Sequence, residues 1–300
     1  MFDLPPELWV KVFRLTSSSQ VGKDPRGYPS LRGKPDTTKL SIIQVSRRFH
    51  DLGLQALYET VVLTRDMIRQ PDGSHELRLT QRGLRLLDAL ERNVDRREWV
   101  REIYVRGPGR SFEGDIIDYA CHDIAKFIQY CARLRTLVLF YHSVLPASLT
   151  TILGAICSVP SLELRRLYLN ARPHVRDTVA VLQHCRNLNA LSITESVDTL
   201  STGEAANVLS LPRLKSLAFG TVELWDLNEV TNDHFRIFTH ADMPSLCHLD
   251  AEVERVQLAS LETFFASISP RITSITASVN TGMRLDTFFE DFISNFPYLR

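Results

Sequence analysis

CARLRTLVL, residues 131–139, is the stretch on which the reading of this chain turns. Leu134, Leu137 and Leu139 follow the pattern apolar-x-x-apolar-x-apolar. The last two alternate with Val138, as in a strand with one face against a core. A Pro or Cys often stands two or three residues upstream of the leading apolar residue, as Cys131 does before Leu134. The pattern recurs. It appears as WVREIYV (Val100, Ile103, Val105), LELRRLYL (Leu164, Leu167, Leu169) and CRNLNALSI (Leu188, Leu191, Ile193). It continues as LPRLKSLAF (Leu214, Leu217, Phe219), MPSLCHLDA (Leu246, Leu249, Ala251) and SPRITSITA (Ile272, Ile275, Ala277). The steps from Val100 through Leu134, Leu164, Leu188, Leu214 and Leu246 to Ile272 are uneven. Periods of this order, roughly 20–50 residues, belong to supersecondary units stacked side by side.

The intervening segments carry a helical period. Ile116, Ile117, Ala120, Ile124, Phe127 and Ile128 share one face. Leu149, Ile152, Leu153 and Ile156 share another, and so do Val175, Val179 and Leu182. The runs Leu261–Ile268 and Leu285–Ile293 repeat the theme. One strand and one helix per unit predict an α/β solenoid, in which each unit buries its apolar side against its neighbours. The pattern resembles leucine-rich repeats of irregular length. The Asn that often follows the strand in those repeats is replaced by His142, Arg172, Ser196, Val222 and Glu254, and only Asn280 fits.

The N-terminal segment, 1–63, reads differently. In LPPELWVKVF (4–13), Pro5 suits a first helical turn, and Glu7 can meet the free N–H groups there. Leu8, Trp9, Val12 and Phe13 form a broad apolar face. In LSIIQVSRRFHDLGLQALYETVVL (40–63), Leu40, Ile43, Phe49 and Leu52 line a second helix that Gly53 can end. LQALYET gives a short third helix, and the β-branched TVVL runs into a strand. Three short helices cannot cover so much apolar surface alone. The surplus face either caps the rest of the chain or docks a partner. The stretch between the two runs, 14–39, is rich in Ser, Gly, Pro and Lys and reads as a flexible insert.

Together these residues resemble an F-box, and the whole chain resembles the F-box proteins with leucine-rich repeats that are abundant in fungi. The matching positions are Leu4, Pro5, Glu7, Leu8, Val12, Phe13, Val45, Ser46, Arg47, Phe49, Leu57 and Tyr58. Tyr58 replaces the frequent Trp of the family, and the insert is far longer than the family's usual loop. The resemblance implies a three-helix module, residues 1–63, that binds a Skp-type adaptor and through it a cullin. The adaptor-binding residues it implies are Leu4, Pro5, Leu8, Val12, Phe13, Val45, Arg47, Phe49, Leu57 and Tyr58. Residues 64–300 would form the solenoid.

Charge is balanced, with 35 Lys and Arg against 35 Asp and Glu, and segment 1–63 carries nine of the former and six of the latter. Neither figure argues for a nucleic-acid partner. The five cysteines form no CxxC pair, which reads as reduced intracellular thiols. The opening MFDLPPELWV lacks the form of a signal peptide, and no apolar run is long enough for a membrane span. A cytoplasmic or nuclear location is expected. No GxSxG, GxxxxGK(S/T), HExxH or GxGxxG pattern occurs. His240, Cys247 and His248 lack recognised zinc spacing. Cys131 and Cys185 share one pre-strand repeat position, which favours packing. GPG at 107–109 reads as a turn, and Trp225 as loop packing. No enzyme activity and no cofactor are expected.

The function these features imply is substrate recognition for a Skp–cullin–F-box ubiquitin ligase. The rival is a leucine-rich interaction scaffold with no ligase role. In either case the strand residues that alternate with the buried ones should face outward and hold a protein target. Tyr104, Arg106, Phe140, Arg166, Tyr168 and Asn170 are the candidates, of types enriched at binding hot spots. The final NFPYLR (295–300) looks like the opening of another repeat, with Leu299 following Ile272 at the spacing of the earlier repeats. Either a truncated solenoid or an end covered by something else is therefore expected.

Overall fold

Val61, Ile103, Leu137, Leu167, Leu191, Leu217, Leu249 and Ile275 fall into a single cross-strand row. Each apolar repeat position thus pairs with its counterpart in the next repeat, with no slip. The computed structural model describes residues 5–16, 21–23, 29–31, 44, 46–107, 116–140, 146–170, 173–193, 209–219, 238, 241–253, 268 and 271–279. Within them lies a ten-stranded, mostly parallel sheet that does not close on itself.

The sheet strands are β3 (Thr60–Arg69), β4 (His75–Leu79), β5 (Glu102–Arg106), β6 (Ile116–Asp118) and β7 (Thr136–Phe140). They continue as β8 (Arg166–Asn170), β9 (Ala190–Ile193), β10 (Ser216–Phe219), β11 (His248–Val253) and β12 (Ser274–Val279). Their order is β12-β11-β10-β9-β8-β7-β5-β3-β4-β6. From β5 through β12, leaving out β6, each strand lies beside the next in sequence. Within this sheet, among the described residues, only the β3–β4 pairing is antiparallel. Its turn is closed by Gly73, whose φ of 88° suits a residue without Cβ.

The helices are α1 (Pro6–Thr16), α2 (Arg47–Glu59), α3 (Gln81–Arg92), α4 (Val94–Arg97), α5 (Ala120–Tyr130), α6 (Pro146–Ser158) and α7 (Val175–His184). Their sequence signals are local. Thr80 and Asn93 cap α3 and α4 through side-chain oxygens that accept from Gly83 N and Arg96 N, both at 3.3 Å. On α5, Ala120, Cys121, Ile124, Ala125, Phe127 and Ile128 are buried, the stripe expected of an amphipathic helix. α5 packs on α6 and α6 on α7, so helix neighbours follow strand neighbours. One apolar cluster runs from Val61 to Ile272 and joins the helices to the row above.

Several expectations are corrected here. Gly53 does not end a helix. α2 runs unbroken from Arg47 to Glu59, with Gly53 buried in its middle, and it passes directly into β3. The described N-terminal residues therefore hold two helices, joined through aromatic contacts, with residues 40–43 outside them. The insert is not all loop, since β1 (Val21–Lys23) and β2 (Pro29–Leu31) pair antiparallel within it. Ile116 and Ile117 do not join the helix that follows. They form β6, where two β-branched residues extend and pair with β4. Residues 63 and 64, taken as the domain boundary, both lie inside β3. The repeats' Asn positions, Trp225, Leu261–Phe265 and the terminal NFPYLR lie outside the described residues.

Candidate functional site

The N-terminal helices meet through three rings. Trp9 and Phe49 have centroids 4.8 Å apart, Phe13 and Phe49 are edge-on at 5.5 Å, and Trp9 and Phe13 lie at 6.0 Å. Val10 and Phe13 are buried. Ser46 caps α2, its hydroxyl accepting from Phe49 N at 3.1 Å. The apolar face of α1 is thereby divided. Phe13 belongs to the helix–helix core, whereas Leu8 is 41% exposed. Pro5, just before α1, and Arg47, at the start of α2, are exposed too. Val12, Phe49 and Leu57 are half-buried. Leu4 and Val45 lie outside the described residues.

Tyr58 faces the body of the protein. Its ring meets Trp99 edge-on at 6.2 Å, lies under the Arg96 guanidinium at 5.3 Å, and its hydroxyl accepts from Arg96 Nη1 at 3.1 Å. It packs against the main apolar cluster. Both readings of the surplus apolar face thus have residues behind them: Tyr58 fastens the helices to the sheet, and Leu8 stays accessible.

On the sheet, the second row reads Val62, Tyr104, Val138, Tyr168, Ser192, Ala218, Asp250 and Thr276 in register. This row lies outside the main apolar cluster, on the face away from the helices. It was expected to point to solvent, and the structure corrects this. Tyr104 is 4% exposed, and Val138, Ser192, Ala218 and Asp250 are also buried. Rungs of a sheet stand about 4.8 Å apart, so a small side chain such as Val138, in register between Tyr104 and Tyr168, is shaded by its neighbours. What remains accessible of the predicted set is Arg106 and Arg166, both exposed, with Phe140 and Tyr168 half-buried. Asn170 ends β8.

Hydrogen bonding explains why Tyr104 is withdrawn. The Glu102 Oε2 accepts from the Tyr104 hydroxyl at 3.2 Å and from Thr60 Oγ1 at 3.3 Å. Burial, then the Glu102 charge, push the Tyr104 phenol well above its ordinary range. Burial also raises Tyr168, while the Arg166 guanidinium pulls it back. Arg166 therefore presents an exposed charge next to a half-buried aromatic ring, a combination suited to a protein partner.

Four of the five cysteines, Cys121, Cys131, Cys157 and Cys185, lie in or against the core. Cys131 and Cys185 are buried, and burial pushes both thiols up to about 12. Cys121 Sγ sits 3.3 Å from His122 Nδ1 and donates to the Asp118 carbonyl at 2.9 Å. Burial raises its pKa as well, which keeps it a thiol. Among the described residues no group of three His, Cys, Asp or Glu side chains could hold a metal ion, and no helix is long and apolar enough to cross a membrane.

Two features escaped the sequence. Arg65 and Asp118 form a fully buried ion pair, Nη1 to Oδ2, at 3.2 Å. Gly107, taken as part of a simple turn, is a close-approach position, where a Cβ would come within 2.8 Å of Arg65 Nη2 and 3.0 Å of the Phe140 carbonyl. In comparison with known proteins, no family model matches the chain and no curated protein matches it.

Proposed function

We propose that this chain is the substrate-recognition subunit of a Skp–cullin–F-box ubiquitin ligase. In this reading the N-terminal helices are an F-box that docks a Skp-type adaptor. The strand-and-helix array is a leucine-rich solenoid that holds the target. The chain contributes proximity, bringing target lysines to the ubiquitin chemistry of other subunits. A cytoplasmic or nuclear location follows from that role.

The observation that carries the reading is the unslipped parallel register of the repeats, from Ile103 to Ile275, behind a helix pair that leaves Leu8 exposed. An open array of strands backed by helices offers long surface, which suits protein recognition. The rival reading, a scaffold without a ligase role, draws on Tyr58, whose contacts with Arg96 and Trp99 turn one F-box-like position inward. Co-purification separates the two. Tagged chain is expected to bring down the adaptor and cullin. Arg166→Glu combined with Tyr168→Ala is expected to keep that capture and lose the target. A folded chain that never retains the adaptor would leave the scaffold reading.

A further inference from the structure

Among the described repeats, the first apolar residue is followed at once by a residue whose backbone bonds to the same position of the neighbouring repeat. Arg135 N donates to the Arg101 carbonyl at 2.7 Å, and Arg165 N to the Arg135 carbonyl at 2.8 Å. Asn189 N reaches the Arg165 carbonyl at 2.7 Å, and Lys215 N the Asn189 carbonyl at 2.9 Å. The ladder then continues through Cys247 and Thr273. These bonds stack the same position of successive repeats along the leading ends of the strands. Arg101, Arg135, Arg165 and Lys215 are thus drawn into one column, although each belongs to a different repeat. Exposed Arg133, Arg186 and Arg213 precede the same strands and widen the basic strip.

The fold does not require this charge. The ladder uses main-chain groups only, and Cys247 and Thr273 serve as rungs with neutral side chains. A general excess of basic residues does not explain it either, since the chain holds 35 of each sign. Like charges crowd there: burial, then Arg135 and Arg133, lower the Arg101 pKa. Carboxylates offset part of the strip: Glu98 pairs with Arg133 at 2.7 Å, Glu163 pairs with Arg135 at 3.4 Å, and Glu163 and Glu59 also act on Arg101. Among the described residues, no carboxylate stands within ion-pair distance of the exposed Arg165, Arg186 and Lys215.

We infer that this strand-end column binds an acidic, extended polypeptide segment of a partner protein, with Asp and Glu side chains on Arg165, Arg186 and Lys215. The dimensions fit. Four strand spacings separate Arg101 from Lys215, about 19 Å at about 4.8 Å each, which an extended segment of about six residues spans. A peptide can place neutral residues opposite Glu98 and Glu163. The unbroken phosphate backbone of a nucleic acid cannot, so interleaved carboxylates favour a protein. The column also lies one residue from Arg166, so a segment on it is continuous with the proposed target face. The inference rests on the chain being a protein-recognition module and is independent of the adaptor.

The test is fluorescence anisotropy with the whole purified chain. The probes are a short labelled Glu/Asp-rich peptide, long enough to span the column, and a single-stranded oligonucleotide of equal charge. The peptide is expected to bind, and to weaken as salt is raised. Arg165→Glu, Arg186→Glu and Lys215→Glu together are expected to weaken it on the order of tenfold or more. If that variant unfolds, the neutral replacements Arg165→Gln, Arg186→Gln and Lys215→Gln carry the test, with a smaller loss in the same direction. Absence of peptide binding overturns the inference, as does wild-type binding by a folded variant, or an oligonucleotide that binds as tightly. Adaptor capture is measured on the same samples. Peptide failure with adaptor capture intact overturns the acidic-segment inference alone, whereas loss of adaptor capture by the wild-type chain counts against the ligase reading.

Discussion

Arg65 Nη1 lies 3.2 Å from Asp118 Oδ2, and both side chains are 1% exposed. The pair spans 53 positions of sequence and reaches from β3 to β6 past the intervening β4. Burial raises the Asp118 pKa, and the Arg65 charge pulls it back down. Removing one partner leaves the other charge buried and uncompensated. Arg65→Met should therefore cost about 3–5 kcal/mol. Arg65→Met with Asp118→Leu should recover most of that. In the single variant Asp118 folds more readily when protonated, so the deficit should shrink as pH falls towards the ordinary carboxylate value. Urea denaturation of the single and double variants at neutral and mildly acidic pH reads both effects.

Gly107 holds the same corner closed. Its amide donates to the Phe140 carbonyl at 3.1 Å, and a Cβ here would press on that carbonyl and on Arg65 Nη2. The carbonyl belongs to the main chain and cannot move aside cheaply. Gly107→Ala is expected to destabilise by roughly 1–3 kcal/mol, as overpacking does. Thermal unfolding checks it, and an unchanged midpoint would mean the corner is slacker than its geometry.

The thiols of Cys131 and Cys185 set an alkaline limit. Both are pushed from 9.0 up to about 12 by burial. A raised folded pKa contributes stability below the unfolded value and loses it as pH rises through the window from 9 to 12. At pH 10 each thiol should cost about 1.4 kcal/mol relative to pH 8. The double variant Cys131→Ala, Cys185→Ala should be less stable at pH 8 but show a shallower decline. Equal slopes in urea melts across that range would contradict the burial of these thiols.

Much of this architecture is legible in the sequence, because strand spacing and register are set by side chains that must be buried. Leu137, Leu167, Leu191 and Leu217 have nowhere to go but one row, and a one-residue slip would turn them all to the opposite face, away from the helices. The helix–strand junction at Glu59–Thr60 is marked by β-branched residues. Long-range polar partners leave no such trace. Nothing near Arg65 points to Asp118, and nothing in GPG distinguishes a turn from a close approach. Gly53 misled because an internal glycine and a terminal one look alike when only local signals are read. The exposure of Tyr104 misled because alternation gives the face of a strand, while the Glu102 hydrogen bond that holds the ring in depends on the chain's own packing. The basic column was written across the repeats, one residue after the first apolar position, but only the ladder of main-chain bonds makes it a column.

If the N-terminal helices dock an adaptor as proposed, folding and docking fall on different residues. Phe13, 3% exposed and packed on Phe49, should cost about 3–5 kcal/mol on truncation to Ala. Leu8, 41% exposed, should cost little in folding when changed to Ala, and should show its effect only when the adaptor is present. Melting curves of the two variants are expected to diverge accordingly. A large folding loss from Leu8→Ala would place that side chain in the core and remove it from the docking surface.

The most direct measurement for the ligase reading is calorimetric titration of the whole chain with a purified Skp-type adaptor, wild type beside Leu8→Asp. The wild type is expected to form a one-to-one complex. Leu8→Asp is expected to keep its melting curve and lose the complex, since it places a charge on an exposed apolar anchor without touching the Trp9–Phe13–Phe49 cluster. No heat of binding from the folded wild type, or equal affinity in the two proteins, would contradict docking through this helix.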